Sequence, residues 1–330
     1  MANVAGTGYS DVLPNFSGML FAKGNKRTPF STLIGGNVKT TNHTKFPVGV
    51  FYDVETGTQP EISEAASVTA PAASNVVRTQ QYNVTQIFQE SVDITYHKMA
   101  DMGTMSGLNV ANQTPNPIDE LAFQVARRMD KIAQNIEYTF VNGTYQESTG
   151  NTVASKTRGL LPAITTNVLE MGTSTKPETL TYWKVAEALK CIDDQGGDTS
   201  DLVLGVSAAA MLQLNADAAS NHYQSGEVLT IMGLNLQTVV TPLGRVAVVL
   251  INALNDKASV GSNTAVIFNP ALMGPVYQNV PGHPLFGLEP LAKTGASERY
   301  MLYGEIGLDY GPEYWAAKIT NISNDLPTTL

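Results

Sequence analysis

The 330-residue chain is poor in the residue types that signal chemistry or export. Its single cysteine, Cys191, excludes a disulfide framework and any multi-cysteine metal centre. Charged residues make up only 15% of the chain, well below the roughly 25% of an average soluble protein. With 43% hydrophobic residues there is enough material for a core, so the low charge implies a surface that largely faces other protein. Lysines and arginines number 20 against 29 aspartates and glutamates, a net charge of −9. That balance excludes a generally basic nucleic-acid binder and leaves only local basic patches. The longest apolar runs, 202–206 and 246–251, are strand-sized and far short of a membrane span. Residues 1–16 lack the basic start and apolar run of a signal peptide. We read a chain made and used in cytoplasm, without a membrane partner.

Enzyme motifs are missing too. There is no GxxxxGK followed by Ser or Thr, no HExxH, no GxSxG and no GxGxxG opening a helix. His43, His97, His222 and His283 lie far apart and follow no ligand spacing. Asp193, Asp194 and Asp198 form a carboxylate group, but the intervening Gln195-Gly196-Gly197 reads better as a helix C-terminus and turn. No catalytic, cofactor-binding or metal-ligating residues are expected.

Residues 1–44 show no helical or strand period. Glycines and prolines separate Phe16, Met19, Leu20, Phe21, Phe30, Leu33 and Ile34, so the segment lacks the pattern to build its own core. Residues 46–96 predict two long strands. Phe46, Val48, Val50 and Tyr52 alternate on the first, and Val84, Phe88, Val92, Ile94 and Tyr96 on the return. Between them, 53–75 is polar and small, with Pro60 and Pro71. So long a structureless loop is foreign to a compact domain; it suits a hairpin that reaches over a neighbour. Residues 116–141 predict a helix, with Asn116 as N-cap, Pro117 in first position, and Asp119 and Glu120 in the first turn. Its apolar stripe runs through Ile118, Leu121, Ala122, Val125, Ala126, Met129, Ile132, Ala133, Ile136 and Phe140. Gly143 reads as a left-handed C-cap. From Thr179 onward the pattern becomes short: a helical face over Tyr182, Val185, Ala186, Leu189 and Ile192, a strand at 202–206, Ser207 capping a helix at 208–214, and strands at 246–251 and 265–268. Tyr300, Tyr303, Tyr310, Tyr314 and Trp315 flank a Gly311-Pro312 break, which suggests two short strands. This half reads as compact α+β or α/β.

The order of parts, arm, hairpin, one long helix and a compact mixed half, resembles the HK97-fold major capsid proteins of tailed bacteriophages. Gln59-Pro60-Glu61-Ile62-Ser63-Glu64, the stretch 116–129, Phe140-Val141-Asn142-Gly143-Thr144 and Lys156-Thr157-Arg158-Gly159-Leu160-Leu161 are similar to coat subunits of that group. The resemblance implies an α+β fold with an N-terminal arm (1–44) and an extended loop (45–97) lying across an adjacent subunit. A peripheral domain (98–178 and 300–330) with its spine helix (117–141) and an axial domain (179–299) complete it. It implies a coat protein that self-assembles, as pentamers and hexamers, into an icosahedral shell enclosing phage DNA. The implied place is the virion, assembled in the host bacterial cytoplasm, with a portal protein as partner. Many relatives carry a scaffolding segment ahead of the arm. Only 44 residues precede the hairpin here, so any scaffold is expected to be a separate protein. An encapsulin-like compartment holding an enzyme cargo, and a remote hydrolase, are the competing readings.

Expected sites follow from the resemblance. Phe16, Phe21 and Phe30 of the arm and Glu61 and Glu64 of the loop are expected between subunits. Gln124, Arg127, Arg128, Lys131 and Asn135 fall on the helix side away from Leu121, Val125 and Met129. The spine lies on the inner side in that family, so Arg127, Arg128 and Lys131 are expected to meet packaged DNA non-specifically. Some shells of this fold lock covalently through a loop lysine, an asparagine and a glutamate. Here no lysine lies between Phe46 and His97; Lys45 and Lys98 flank the hairpin, and the tip offers only Glu55, Glu61 and Glu64. A shell without isopeptide bonds is expected.

Overall fold

A computed structural model describes residues 27–55, 57–97, 120–220, 229–231, 234–254 and 262–325. Its strands build three sheets. The largest has seven, in the order β5 (Val168–Glu170), β14 (Ala317–Ser323), β10 (Ser262–Phe268), β6 (Leu202–Val206), β9 (Gly244–Leu250), β8 (Leu234–Thr241) and β7 (Leu229–Ile231). Period-two alternation sends Leu202, Leu204, Val246, Val248, Ala265 and Ile267 to one face, against helices α5 (Tyr182–Asp194) and α6 (Ala208–Ser220). Val203, Ala247, Val249, Val266 and Phe268 go to the other face and a second core. Strands covered on both faces read as continuous apolar runs, which is why 202–206 was legible. Ser207 caps α6 through a bond from the Ala210 amide, at 3.2 Å. At the end of α5, Gly196 takes φ +72° and the Gly197 amide returns to the Ile192 carbonyl. The aspartates there end a helix, as read.

The five-stranded sheet is organised by β13 (Ser297–Asp309), far longer than the short strand expected. One edge carries β11 (Gly274–Gln278) and β12 (Phe286–Pro290); the other carries β4 (Gln86–Thr95). The hairpin therefore differs from its sequence reading. β2 (Lys45–Tyr52) pairs with β3 (Arg78–Val84), whereas 86–95, read as the return strand, joins β13. A one-residue break at Thr85 separates the two strands, so one continuous alternation serves two sheets. β11 and β12, placed within 179–299, pair with β13, while β14 and β5 join the strands of the 202–268 region.

Helix α3 (Glu120–Asn142) is the predicted long helix; its expected start at 116–119 lies outside the described residues. Its stripe is sealed only in part: Ile132 and Phe140 are buried, with Val141 beside them, but Met129 is half exposed. Gly143 is not a left-handed cap. A Cβ there would meet the Thr139 carbonyl at 2.4 Å and the Thr157 carbonyl at 2.7 Å, so close backbone approach is what requires glycine. The short helix α4 (Leu160–Ala163) follows that crossing.

Residues 29–41 correct the reading of the arm. Pro29–Ile34 form helix α1, and β1 (Lys39–Thr41) pairs in parallel with β11. Phe30 has no exposed surface and stacks edge-on with Phe268 at 5.2 Å. It lies in the core of its own subunit, not between subunits. Its missing partners were long-range and invisible locally. The buried Glu137 of α3 holds α1 in place, accepting from the amides of Phe30 (2.9 Å) and Ser31 (2.7 Å) and from the Ser31 hydroxyl (2.6 Å). Burial pushes the Glu137 carboxyl above its usual range, although these donors pull it down.

Candidate assembly surface

The hairpin is rooted in its own subunit and bare beyond. At the root, Phe46 is buried against Gly307. The fully buried Asn83 donates to the carbonyls of Leu308 (2.7 Å) and Arg158 (3.0 Å) and accepts from the Arg158 amide (2.8 Å). Such a saturated amide fixes where the strand leaves the core. Outside it, Lys45 pairs with Glu147 at 2.9 Å, and Tyr145 donates to the same carboxylate at 3.0 Å. The Lys45 bond holds Glu147 below the usual carboxylate range and Lys45 itself above its own. The Arg158 guanidinium covers the Tyr145 ring at 4.9 Å. Further out, Phe51 stacks edge-on with Tyr314 at 5.2 Å.

Beyond that contact the cover ends. Tyr52 is 60% exposed, Val54 80% and Val68 86%, and Ile62, Val76 and Val77 are exposed as well. One turn, α2 (Glu64–Ser67), interrupts the extended tip, capped by Ser63, which accepts from the Ala66 amide at 3.2 Å. Between Asp53 and Val77 the only charges are carboxylates: Asp53, Glu55, Glu61 and Glu64. Glu61 and Glu64 are exposed, and among the described residues no cation pairs with either. A row of apolar side chains without a domain beneath it is a surface for another protein. Among the described residues no helix is long and apolar enough to cross a membrane, and no three His, Cys, Asp or Glu side chains group to hold a metal.

The profile of the SU10 major capsid protein family matches residues 2–323. The chain belongs to that family. Solved structures agree on the fold. The cyanophage A-1(L) capsid superposes with a TM-score of 0.61 at 12% identity, over 97% of this chain and 99% of its own. The capsid of Myoviridae phage XM1 gives 0.56 at 11%, over 96% and 100%. The SrpI encapsulin of Synechococcus elongatus PCC 7942 gives 0.59 at 11%, over 98% and 96%. Comparison with curated proteins returns no significant match. The α+β fold is thus the HK97 type, and the protein is a major capsid protein, a virion component whose shell is built from copies of itself.

In this SU10-family subunit the three cations expected to meet DNA each pair with a carboxylate. Arg128 reaches Glu90 of β4 at 3.3 Å, Lys131 pairs with the same carboxylate, and Arg127 with Asp130 at 3.0 Å. The cationic side of α3 turns toward β4, where a half-buried Glu90 needs compensating charge, and Met129 turns outward instead. All three cations are paired within the subunit, while the side chains of Arg127 and Lys131 stay 41% and 52% exposed. Phe16, Phe21 and Lys98 lie outside the described residues. Sequence reasoning missed Asn83, Glu137 and Gly143. Asn83 and Glu137 take their roles from Arg158, Leu308 and Phe30, each 75 or more residues away along the chain, and Gly143 from a backbone crossing at Thr157.

Proposed function

We propose that this capsid protein builds its shell, as pentamers and hexamers, by non-covalent contacts in which the tip of the β2–β3 hairpin, with Glu61 and Glu64, lies on an adjacent subunit. The observation that carries this reading is the uncovered tip: apolar residues from Tyr52 to Val77 stand exposed beside carboxylates without cations. Many modest contacts repeated around closed symmetry give cooperative assembly although each is weak. The protein acts structurally rather than as an enzyme. Assembly takes place in the host bacterial cytoplasm, with a portal and, where a scaffold is needed, a separate scaffold protein. The lysine-free hairpin supports a shell without isopeptide bonds.

Electron microscopy and size-exclusion chromatography of the purified full chain test the reading. Closed shells with nucleic acid inside are expected, and boiling them in detergent should give one band near 35.3 kDa. A monodisperse monomer, alone or with a co-expressed scaffold, overturns it. Shells filled with a protein cargo and free of nucleic acid favour an encapsulin-like compartment. A ladder that survives boiling with reductant overturns the non-covalent part.

A further inference from the structure

A groove of about 750 Å³ opens between the outer hairpin and the 311–315 turn, beside the C-terminal end of α5. Four aromatic residues line it, Phe51 and Tyr52 from the hairpin and Tyr314 and Trp315 from the turn. Most of this wall is held in place. Phe51 stacks edge-on with Tyr314 at 5.2 Å, and Trp315 lies so close to Gly197 that a Cβ there would meet its ring at 3.0 Å. Tyr52 and Trp315 are 60% and 37% exposed, so aromatic surface is open to a ligand. Among the described residues no Lys or Arg lines the groove; Arg78 stands opposite Tyr52 in the hairpin register but is not part of the lining. Of the two lining carboxylates, Asp194 is paired with Lys190, whereas no cation among the described residues pairs with Asp53.

Three features of this lining select a cation. The face of an aromatic ring is negative and attracts ammonium groups. A helix ends on the negative pole of its dipole, and Asp194, Gln195 and Gly196 bring that end of α5 to the groove. Asp53 adds an unpaired carboxylate. The Tyr314 hydroxyl, raised first by burial, is pushed further up by Glu313 and Asp53. An anionic ligand finds no partner in such a lining, and a bare metal ion would leave the aromatic walls unused. A flexible alkyl chain ending in ammonium groups uses both, because its methylenes leave water for the aromatic surface while its charge bonds a carboxylate. We infer that this groove binds an alkylammonium ligand of the polyamine class, with the methylene chain along the aromatic walls and an ammonium group at Asp53. Every lining group comes from one subunit, so the site is complete before assembly and stands apart from the assembly reading above. In a subunit of net charge −9 a bound polycation also offsets part of the repulsion between copies.

Spermidine titrated into the unassembled full chain tests it. Trp183→Phe leaves Trp315 as the only tryptophan, and its fluorescence should change saturably as spermidine binds. Asp53→Asn, at an exposed position, should weaken that binding by about tenfold or more. Magnesium chloride and a neutral aliphatic diol serve as controls, and neither should reproduce the change. An equal response to magnesium reduces the groove to general acidity, and an equal response to the diol reduces it to apolar surface; either overturns the inference. So does undiminished binding by Asp53→Asn. Should Trp183→Phe fold poorly, equilibrium dialysis of labelled spermidine against the unmodified chain and against Asp53→Asn gives the same comparison. If the free chain takes up no spermidine but Trp315 emission shifts on assembly, a group from a second copy fills the groove. That result overturns the inference and leaves the assembly reading standing. Spermidine binding by a chain that never forms shells does the reverse.

Discussion

Phe30→Ala tests where the arm stops and the subunit begins. The ring is fully buried and meets Phe268 edge-on at 5.2 Å with an interplanar angle of 64°. Emptying a buried aromatic site costs about 3–5 kcal/mol, of which the aromatic pair contributes about 0.5–1.5 kcal/mol. Against a total stability of about 5–15 kcal/mol this is a large fraction. Deleting residues 1–30 goes further, because it also removes the Phe30 amide that donates to Glu137 at 2.9 Å. A buried acceptor left short of a donor adds about 1–3 kcal/mol. Deleting residues 1–26 removes none of these contacts. The assay is equilibrium urea unfolding of the unassembled subunit, followed by tryptophan fluorescence and circular dichroism. The 1–26 deletion should keep its midpoint and assemble poorly. Phe30→Ala should unfold at clearly lower urea, and the 1–30 deletion lower still or not fold at all. An unchanged midpoint and slope for Phe30→Ala would refute the reasoning, as would a 1–26 deletion as unstable as the longer one.

Glu137 predicts a pH dependence. Its folded pKa lies above the ordinary 4.5 because of burial, so the folded chain holds this proton more tightly than the unfolded one. Its contribution is therefore fully present below about pH 4.5 and declines as pH rises through the folded pKa. Over that rise the urea midpoint of the native chain should fall relative to that of Glu137→Gln; a constant difference between the two argues against it. Asn83→Ala strips partners from the Leu308 and Arg158 carbonyls and the Arg158 amide, at about 1–3 kcal/mol for each buried group left unpaired. The unfolding midpoint should drop, and trypsin should cut sooner at Arg78 of β3; unaltered stability sinks this account of the root. For Gly143→Ala, reduced freedom of the unfolded chain alone would stabilise by about 0.4–1 kcal/mol. The Cβ would instead meet two backbone carbonyls at 2.4 and 2.7 Å, and overpacking costs about 1–3 kcal/mol. The sign of the change in thermal midpoint decides between them.

The sequence by itself determined whatever depends on local period and punctuation. The alternation over 202–206, the stripe from Leu121 to Phe140 and the Gly196-Gly197 stop each report a neighbourhood a few residues wide, and each yields the expected element. The order of parts, arm, hairpin, long helix and mixed half, carried the resemblance to HK97-fold coat subunits. Only the tertiary structure decided which elements meet. The alternation through 84–96 has the same appearance whether its partner is β2 or β13, and the change of partner falls at a single residue, Thr85. Phe30 looked like an orphan because its partners, Phe268 and Glu137, lie more than a hundred residues away along the chain. Arg128 and Lys131 find their carboxylate, Glu90, on a strand that a helical wheel does not contain. Charge and burial are set by what packs against a side chain, and in this chain those neighbours are mostly remote in sequence.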